Sequence, residues 1–173
     1  MDEYVGKKKG FFNSLIDGLV KVENFSLIIL IAGMIILCFL QVLFRYVFKI
    51  SAPWTEELSR YFMVWLIFIG AAWAVHAQNH IEIDVLELFF KNPVVRSIIE
   101  LVTSLIIVVF SAYFLYSAAV YIPQVVASNE RTIALGLPMW LPQSCLLVGA
   151  FLIVVHSIEI FIRKLTALLK GVR

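Results

Sequence analysis

Four uninterrupted apolar runs constrain this chain more than any other feature of its sequence. They cover residues 25–44, 58–75, 101–122 and 141–158, and Arg60 is the one Asp, Glu, Lys or Arg inside them. The hydrocarbon core of a bilayer is about 30 Å thick, and a helix needs about 20 apolar residues to cross it. The runs therefore predict an all-α integral membrane protein with four transmembrane helices. Including their flanks, the predicted spans are residues 25–47, 54–77, 97–122 and 140–162.

The composition agrees with a membrane protein and excludes several other classes. Hydrophobic residues make up 62% of the chain and charged residues 15%, whereas a soluble domain has about half and about a quarter. The net charge of +2 gives no reason to expect a nucleic-acid partner. No phosphate-binding loop, nucleophile elbow or zinc motif occurs, and Cys38 and Cys145 lie in separate apolar runs. We predict no enzymatic activity, and no metal or other cofactor on this chain.

The residues before the first span have a different pattern. Apolar residues such as Leu15, Ile16 and Leu19 recur at helical spacing on one face, and three lysines precede them. This pattern is typical of an amphipathic helix on an anionic leaflet, so residues 1–24 are predicted to form an arm with an interfacial helix. A solvated arm is the alternative. At the other end of the chain, residues 163–173 are predicted to form a basic tail.

The distribution of basic residues predicts the orientation. One side of the membrane would carry Lys7, Lys8, Lys9, Lys21, Lys91, Arg96, Arg163, Lys164, Lys170 and Arg173, and the other side Arg45, Lys49, Arg60 and Arg131. Cytoplasmic loops carry the excess of Lys and Arg. Both termini are therefore predicted to be cytoplasmic.

The most compact group of charges lies between the first and second spans. Arg45 closes the first apolar run, and Glu56 and Glu57 precede the second. Arg60 follows at a spacing that lets it meet either carboxylate on one helix face. This cluster either fixes the first hairpin or docks a partner, or it is ordinary helix capping and snorkelling at the headgroups. A proton relay is less favoured, because relays need ionisable groups near the membrane midplane.

The three histidines allow a haem hypothesis. His76, His80 and His156 fall at the predicted cytoplasmic ends of the second and fourth spans, where two of them could supply an axial pair. The favoured interpretation is that they are interfacial histidines bonded to water or headgroups. The loop of residues 76–96 is too short and too charged to span, and it fits a surface-lying segment or a partner contact.

Around the first loop and second span, the sequence resembles the small membrane subunit (Q, or DctQ-like) of tripartite ATP-independent periplasmic (TRAP) transporters. The matching residues are Arg45-Tyr46-Val47-Phe48, Ser51, Trp54, Glu56-Glu57-Leu58, Arg60-Tyr61, Trp65, Gly70-Ala71-Ala72, His80-Ile81 and Asp84. Length and four-span topology are also similar. The sequence departs from the family's pattern at one point, because His76 occupies the region where members often carry a basic residue.

The resemblance implies a role that composition does not show. Such a subunit broadens the scaffold of a large membrane subunit, M, which holds the substrate and sodium sites. A periplasmic binding protein, P, delivers an organic acid to the outer face, and sialic acid is the compound we favour. The implied location is the bacterial inner membrane. Candidate structural or interface residues are Arg45, Glu56, Glu57, Arg60, His80 and Asp84, and candidate contacts to the binding protein are Lys49, Trp54 and Arg131.

Two other functions stay open from the sequence. One is a haem-binding membrane anchor of a respiratory complex, which a visible absorption spectrum would reveal. The other is a small transporter that assembles from copies of this chain, which would show flux when reconstituted alone.

Overall fold

The computed structural model describes residues 11–77 and 93–171, and this part of the chain is almost entirely helical. Its helices are α1 (Phe11–Tyr46), α2 (Pro53–Ala77), α3 (Pro93–Ser128), the short α4 (Trp140–Gln143) and α5 (Cys145–Gly171). Helices α4 and α5 form one continuous segment, because the Ser144 amide donates to the Trp140 carbonyl at 2.9 Å. His80 and Asp84, and most of the predicted surface-lying loop, are outside the described residues.

Four helical segments are long and apolar enough to cross a membrane. They are Leu15–Tyr46, Pro53–Ala77, Ser97–Ser128 and Trp140–Leu169. The prediction of an all-α membrane protein with four spans is confirmed. At 1.5 Å per residue, the 36 residues of α1 extend about 54 Å, well beyond the hydrocarbon thickness.

Local sequence signals explain where these helices begin and end. Pro53 occupies the first turn of α2, where its missing N–H costs no helical hydrogen bond. The Thr55 hydroxyl in the same turn donates to the Ala52 carbonyl at 2.7 Å. Helix α3 ends before Asn129, which adopts a left-handed backbone with φ of 53°. Lys49, in the linker between α1 and α2, has a similar φ of 56°.

The helices pack as a row in the order α1, α2, α5, α3. Helix α5 lies inside the row and has the largest buried share of the four spans, whereas α1 and α3 are at its edges. The row has a termini end, where α1 begins and α5 ends. It also has a loop end, formed by residues 47–52 and 129–139. Helices α2 and α5, the two inner helices, therefore each pack against a neighbouring helix on both sides.

Two glycines allow the close approach of neighbouring helices. A Cβ atom at Gly33 of α1 would lie 2.5 Å from the Phe62 ring of α2. A Cβ atom at Gly149 of α5 would lie 2.6 Å from the Phe68 Cβ of α2. Small residues at helix contacts are typical of membrane helix packing, because they bring the backbones together. Ala72 of α2 is also fully buried.

Helices α1 and α3 expose long apolar faces. On α1 the exposed residues include Ile28, Ile31, Ile35, Phe39 and Val42, and on α3 they include Val102, Ile106, Val109, Phe110 and Tyr113. Such faces are stable against lipid or against another apolar chain, and they would be unfavourable in water. The row therefore offers two broad apolar edges to its surroundings.

The segment predicted to lie on the membrane surface continues directly into the first span as α1. Within it, Ile16 and Glu23 lie two helical turns apart on one face, and both are buried. Leu15 and Val22 are exposed. Contact with the membrane surface by this segment stays a prediction.

Candidate functional site

The charged cluster predicted between the first two spans lies at the loop end and divides into separate contacts. Glu56 and Arg60 form an ion pair at 3.3 Å, with side chains 62% and 66% exposed. This pair is one of the two that the helical spacing allows. An exposed pair of this kind contributes at most about 1 kcal/mol to stability.

Glu57 makes different contacts, because its side chain turns toward the loop of residues 129–139. Its Oε2 atom accepts hydrogen bonds from the amides of Ala134 at 2.7 Å and Leu135 at 3.0 Å. Its Oε1 atom accepts a bond from the Tyr61 hydroxyl at 2.6 Å. Glu57 therefore attaches this loop to the first turns of α2. We call Glu57, Tyr61 and the two amides the loop anchor.

The attached loop has internal order of its own. Arg131 and Pro138 form an isolated antiparallel bridge, and the Thr132 amide donates to the Leu137 carbonyl at 2.8 Å. Gly136 completes the turn with φ of 65°, a conformation that glycine adopts without strain. The Arg131 guanidinium donates to the Gly136 carbonyl at 3.2 Å. These hydrogen bonds therefore give residues 129–139 a defined backbone conformation at the loop end.

The remaining predicted residues of this end surround the loop between α1 and α2. Arg45, Lys49 and Glu56 line an open cleft of about 360 Å³. The Trp54 ring packs edge-on against Phe44, with centroids 6.2 Å apart. Lys49, Trp54 and Arg131 are all exposed. Their contact with a binding protein stays a prediction, as does the functional role of the charged cluster.

A second polar group lies largely buried at the termini end, and it was not predicted from the sequence. It consists of Glu23 from α1, His76 from α2, and His156, Glu159 and Arg163 from α5, and we call it the His–Glu cluster. His156 is fully buried, and its Nε2 lies 2.9 Å from an oxygen of Glu23, which is 3% exposed. A carboxylate only accepts hydrogen bonds, so the imidazole donates from Nε2.

Glu159 joins the other members of the His–Glu cluster. Its Oε2 lies 3.3 Å from Nδ1 of His76 and 3.8 Å from Nδ1 of His156. Its Oε1 accepts a hydrogen bond from the Arg163 guanidinium. Charges withdrawn from water are tolerated when they are paired, and both carboxylates have polar partners here. The cluster therefore links three helices through buried polar contacts.

The structure corrects the favoured interpretation of His156. The sequence predicted a histidine bonded to water or headgroups, but the side chain is enclosed by protein and bonded to Glu23. The prediction failed because Glu23 was assigned to the arm before the first span. The spacing of His156, Glu159 and Arg163 at i, i+3 and i+7 places them on one face of α5 and was a usable signal.

The geometry does not favour a haem between His76 and His156. Their rings have centroids 5.0 Å apart and an interplanar angle of 50°. The Glu159 carboxylate is within 4 Å of both imidazoles. A porphyrin held by an axial histidine on each face would have to separate these rings and displace Glu159.

Serines inside the spans mostly bond within their own helices. Ser104 donates to the Leu101 carbonyl at 2.8 Å, and Ser117 donates to the Tyr113 carbonyl at 3.0 Å. Ser111 of α3 lies 3.3 Å from the Ser157 hydroxyl of α5, so this pair bridges two helices.

Comparison with known families agrees with the helix row and its topology. The family model of the DctQ component of tripartite ATP-independent periplasmic transporters matches residues 34–167, which include the second and third spans, most of the fourth and the C-terminal part of the first. The chain belongs to the DctQ family. It is therefore a multi-pass membrane protein of the family that comprises the DctQ component of these transporters.

Individual relatives support the DctQ assignment. A Haemophilus influenzae protein whose name describes a TRAP transporter small permease is 44% identical over 57 residues, or 33% of this chain. The isethionate TRAP transporter permease protein DctMQ of Oleidesulfovibrio alaskensis is 25% identical over 146 residues, or 79% of this chain. The C4-dicarboxylate TRAP transporter small permease protein DctQ of Vibrio cholerae is 31% identical over 65 residues, or 38% of this chain. The matches span 35%, 23% and 28% of these relatives' own lengths.

Proposed function

We propose that this DctQ chain is the scaffold subunit of a complex that takes up an organic acid by sodium coupling. Its partners in this proposal are a large M subunit, which holds the substrate and sodium sites, and a periplasmic binding protein. The family match over residues 34–167 is the observation that carries the proposal. The complex is proposed to lie in a bacterial inner membrane, with both termini of this chain cytoplasmic.

The helix row supports a scaffold role. A row with two exposed apolar edges can extend a larger membrane protein sideways, because either edge can pack against apolar helices. The His–Glu cluster includes three buried ionisable side chains, and its polar contacts join helices of this chain to one another. We therefore assign substrate binding to the partner subunit.

The relatives support the choice of partner and the class of substrate. The alignment with DctMQ covers most of this chain but only 23% of that relative, whose name joins M with Q. We infer that the rest of that longer protein corresponds to an M subunit. Isethionate and C4-dicarboxylates are both small organic anions. We propose a carboxylated substrate, with sialic acid as the first compound to test.

Reconstitution tests this function. Liposomes holding this chain and its proposed M subunit, supplied with the binding protein and an inward sodium gradient, should accumulate labelled substrate. Omitting this chain should abolish uptake. Full-rate uptake by the M subunit alone would contradict the scaffold function, and flux through this chain alone would favour a self-assembling transporter.

Docking of the binding protein is proposed for the loop end. Lys49, Trp54 and Arg131 are exposed there, and both basic residues lie in or beside the ordered loops. Reversing both charges with Lys49→Glu and Arg131→Glu should weaken docking in a salt-dependent manner, because electrostatic contacts at an interface rim mainly affect association. Uptake that keeps its wild-type rate and salt dependence would exclude this surface. Lys164→Glu, at the other end of the row, is the matched control.

A further inference from the structure

The His–Glu cluster brings three metal-ligating side chains together, and the scaffold function makes no use of them. One ligand atom from each of His76, His156 and Glu159 lies within 4.8 Å of those of the other two. The three side chains come from two different helices, α2 and α5. Both His156 and Glu159 are buried. This convergence requires a physical explanation, because buried ionisable groups in a membrane protein are costly.

The two ring nitrogens of His156 have different surroundings. Its Nε2 atom donates to Glu23 at 2.9 Å. That Nδ1 atom is buried and has no hydrogen-bond partner. It faces the Oε2 atom of Glu159 at 3.8 Å. A positive species between Nδ1 and Oε2 would stabilise both atoms in this buried site.

Two of the three spacings between these atoms are close to those around a tetrahedral metal ion. Ligands about 2.0 to 2.1 Å from zinc at tetrahedral angles lie about 3.3 Å apart. The distance from Glu159 Oε2 to His76 Nδ1 is 3.3 Å, and that to His156 Nδ1 is 3.8 Å. The second distance exceeds the ideal by about 0.5 Å, and the ligand atoms of the two histidines lie within 4.8 Å of each other.

The surroundings of the three groups also match a metal site. A histidine that binds a metal almost always donates its other ring N–H to a carboxylate or carbonyl, which fixes the tautomer. Glu23 is such a carboxylate for His156. Arg163 holds the Oε1 atom of Glu159, so Oε2 is directed toward the two imidazoles.

We propose that His76, His156 and Glu159 bind a divalent transition-metal ion of the zinc class, with Glu23 as the positioning residue for His156. Two imidazoles and one carboxylate suit zinc better than magnesium or calcium, which take mostly oxygen ligands. The fourth position is left for water. The ion would join α2 to α5 and, through Glu23, hold the first turns of α1 against them. A proton on Nδ1 of His156 is the competing occupant.

Metal analysis of the full-length chain tests the proposal. The protein is purified in detergent with an affinity tag that contains no histidine, equilibrated with Zn²⁺ and freed of unbound metal. One zinc ion per chain is expected by elemental analysis. Substitution with Co²⁺ should give the visible absorption of a tetrahedral site. A chain that retains no stoichiometric zinc would overturn the proposal in favour of the proton. Because the readout is bound metal, it is independent of transport.

Variants identify the ligands. His76→Gln and Glu159→Gln should each lower zinc affinity at least tenfold, and Glu23→Gln should lower it by about 10- to 100-fold. Glu56→Gln makes the same chemical change as Glu159→Gln but at the loop end, and its zinc affinity should equal that of wild type. His76 is partly exposed, so its substitution should be tolerated even if Glu159→Gln does not fold. Zinc bound as tightly by His76→Gln as by wild type would refute the assignment.

Discussion

Gly149→Ala should destabilise the helix row because it separates α2 from α5. The added Cβ atom would lie 2.6 Å from the Phe68 Cβ and 3.3 Å from the Phe68 carbonyl carbon. Carbon atoms pack optimally at about 3.5 to 4.0 Å, so the backbones must separate by about 1 Å. Overpacking of this kind costs about 1 to 3 kcal/mol. The better helix propensity of alanine returns up to about 1 kcal/mol. The net loss should be about 1 to 2 kcal/mol, which is roughly a 5- to 30-fold change in the folding equilibrium.

Two other glycines supply matched controls for the same substitution. A Cβ atom at Gly18 would meet no atom within 4 Å, so Gly18→Ala should be neutral or slightly stabilising. A Cβ atom at Gly33 would lie 2.5 Å from the end of the Phe62 ring, which can rotate away more easily than a backbone can move. The stability of Gly33→Ala should therefore lie between those of Gly18→Ala and Gly149→Ala.

Unfolding in mixed detergent micelles measures this order of stabilities. Increasing amounts of denaturing detergent are added, and the loss of structure is followed by tryptophan fluorescence and circular dichroism. From the highest to the lowest midpoint of unfolding, the expected order is Gly18→Ala, then Gly33→Ala, then Gly149→Ala. Equal midpoints for Gly149→Ala and Gly18→Ala would refute the argument that α2 and α5 make close backbone contact at this position.

Three further substitutions test other contacts. Glu57→Ala should speed hydrogen exchange at the Ala134 and Leu135 amides, measured by mass spectrometry, whereas Glu56→Ala should leave it unchanged. Glu23→Ala should destabilise the fold by about 1 to 3 kcal/mol in the micelle assay, because it leaves the buried Nε2 donor of His156 without its acceptor; a loss within error would contradict this. Arg60→Gln should change stability by less than about 1 kcal/mol, since its ion pair is exposed; a larger loss would show an additional contact.

Hydropathy predicted the number and type of the spans because helix formation in a membrane is a local requirement. Each backbone amide must bond within its own segment, so a long apolar run is sufficient to specify a helix. The Glu56–Arg60 pair followed from helical spacing alone. These predictions needed no knowledge of which helices are neighbours.

Predictions of the contacts that a side chain makes with distant parts of the chain were incomplete. Glu57 was grouped with Arg60, yet its carboxylate binds a loop 77 residues later in the chain. His156 was predicted to contact water or headgroups, yet it bonds to Glu23, 133 residues earlier. A single sequence contains no signal that pairs such distant residues, because their contact arises only after the helices have packed.

The sequence by itself determined that this chain is a four-span membrane protein, and its motifs pointed to the DctQ family. Both conclusions depend on properties within one segment, namely apolar length and residue order. The tertiary structure decided the helix order α1, α2, α5, α3, the loop anchor at Glu57 and the His–Glu cluster. These features depend on side chains from separate helices meeting at distances of a few ångströms. Packing sets those distances, and hydropathy carries no information about them.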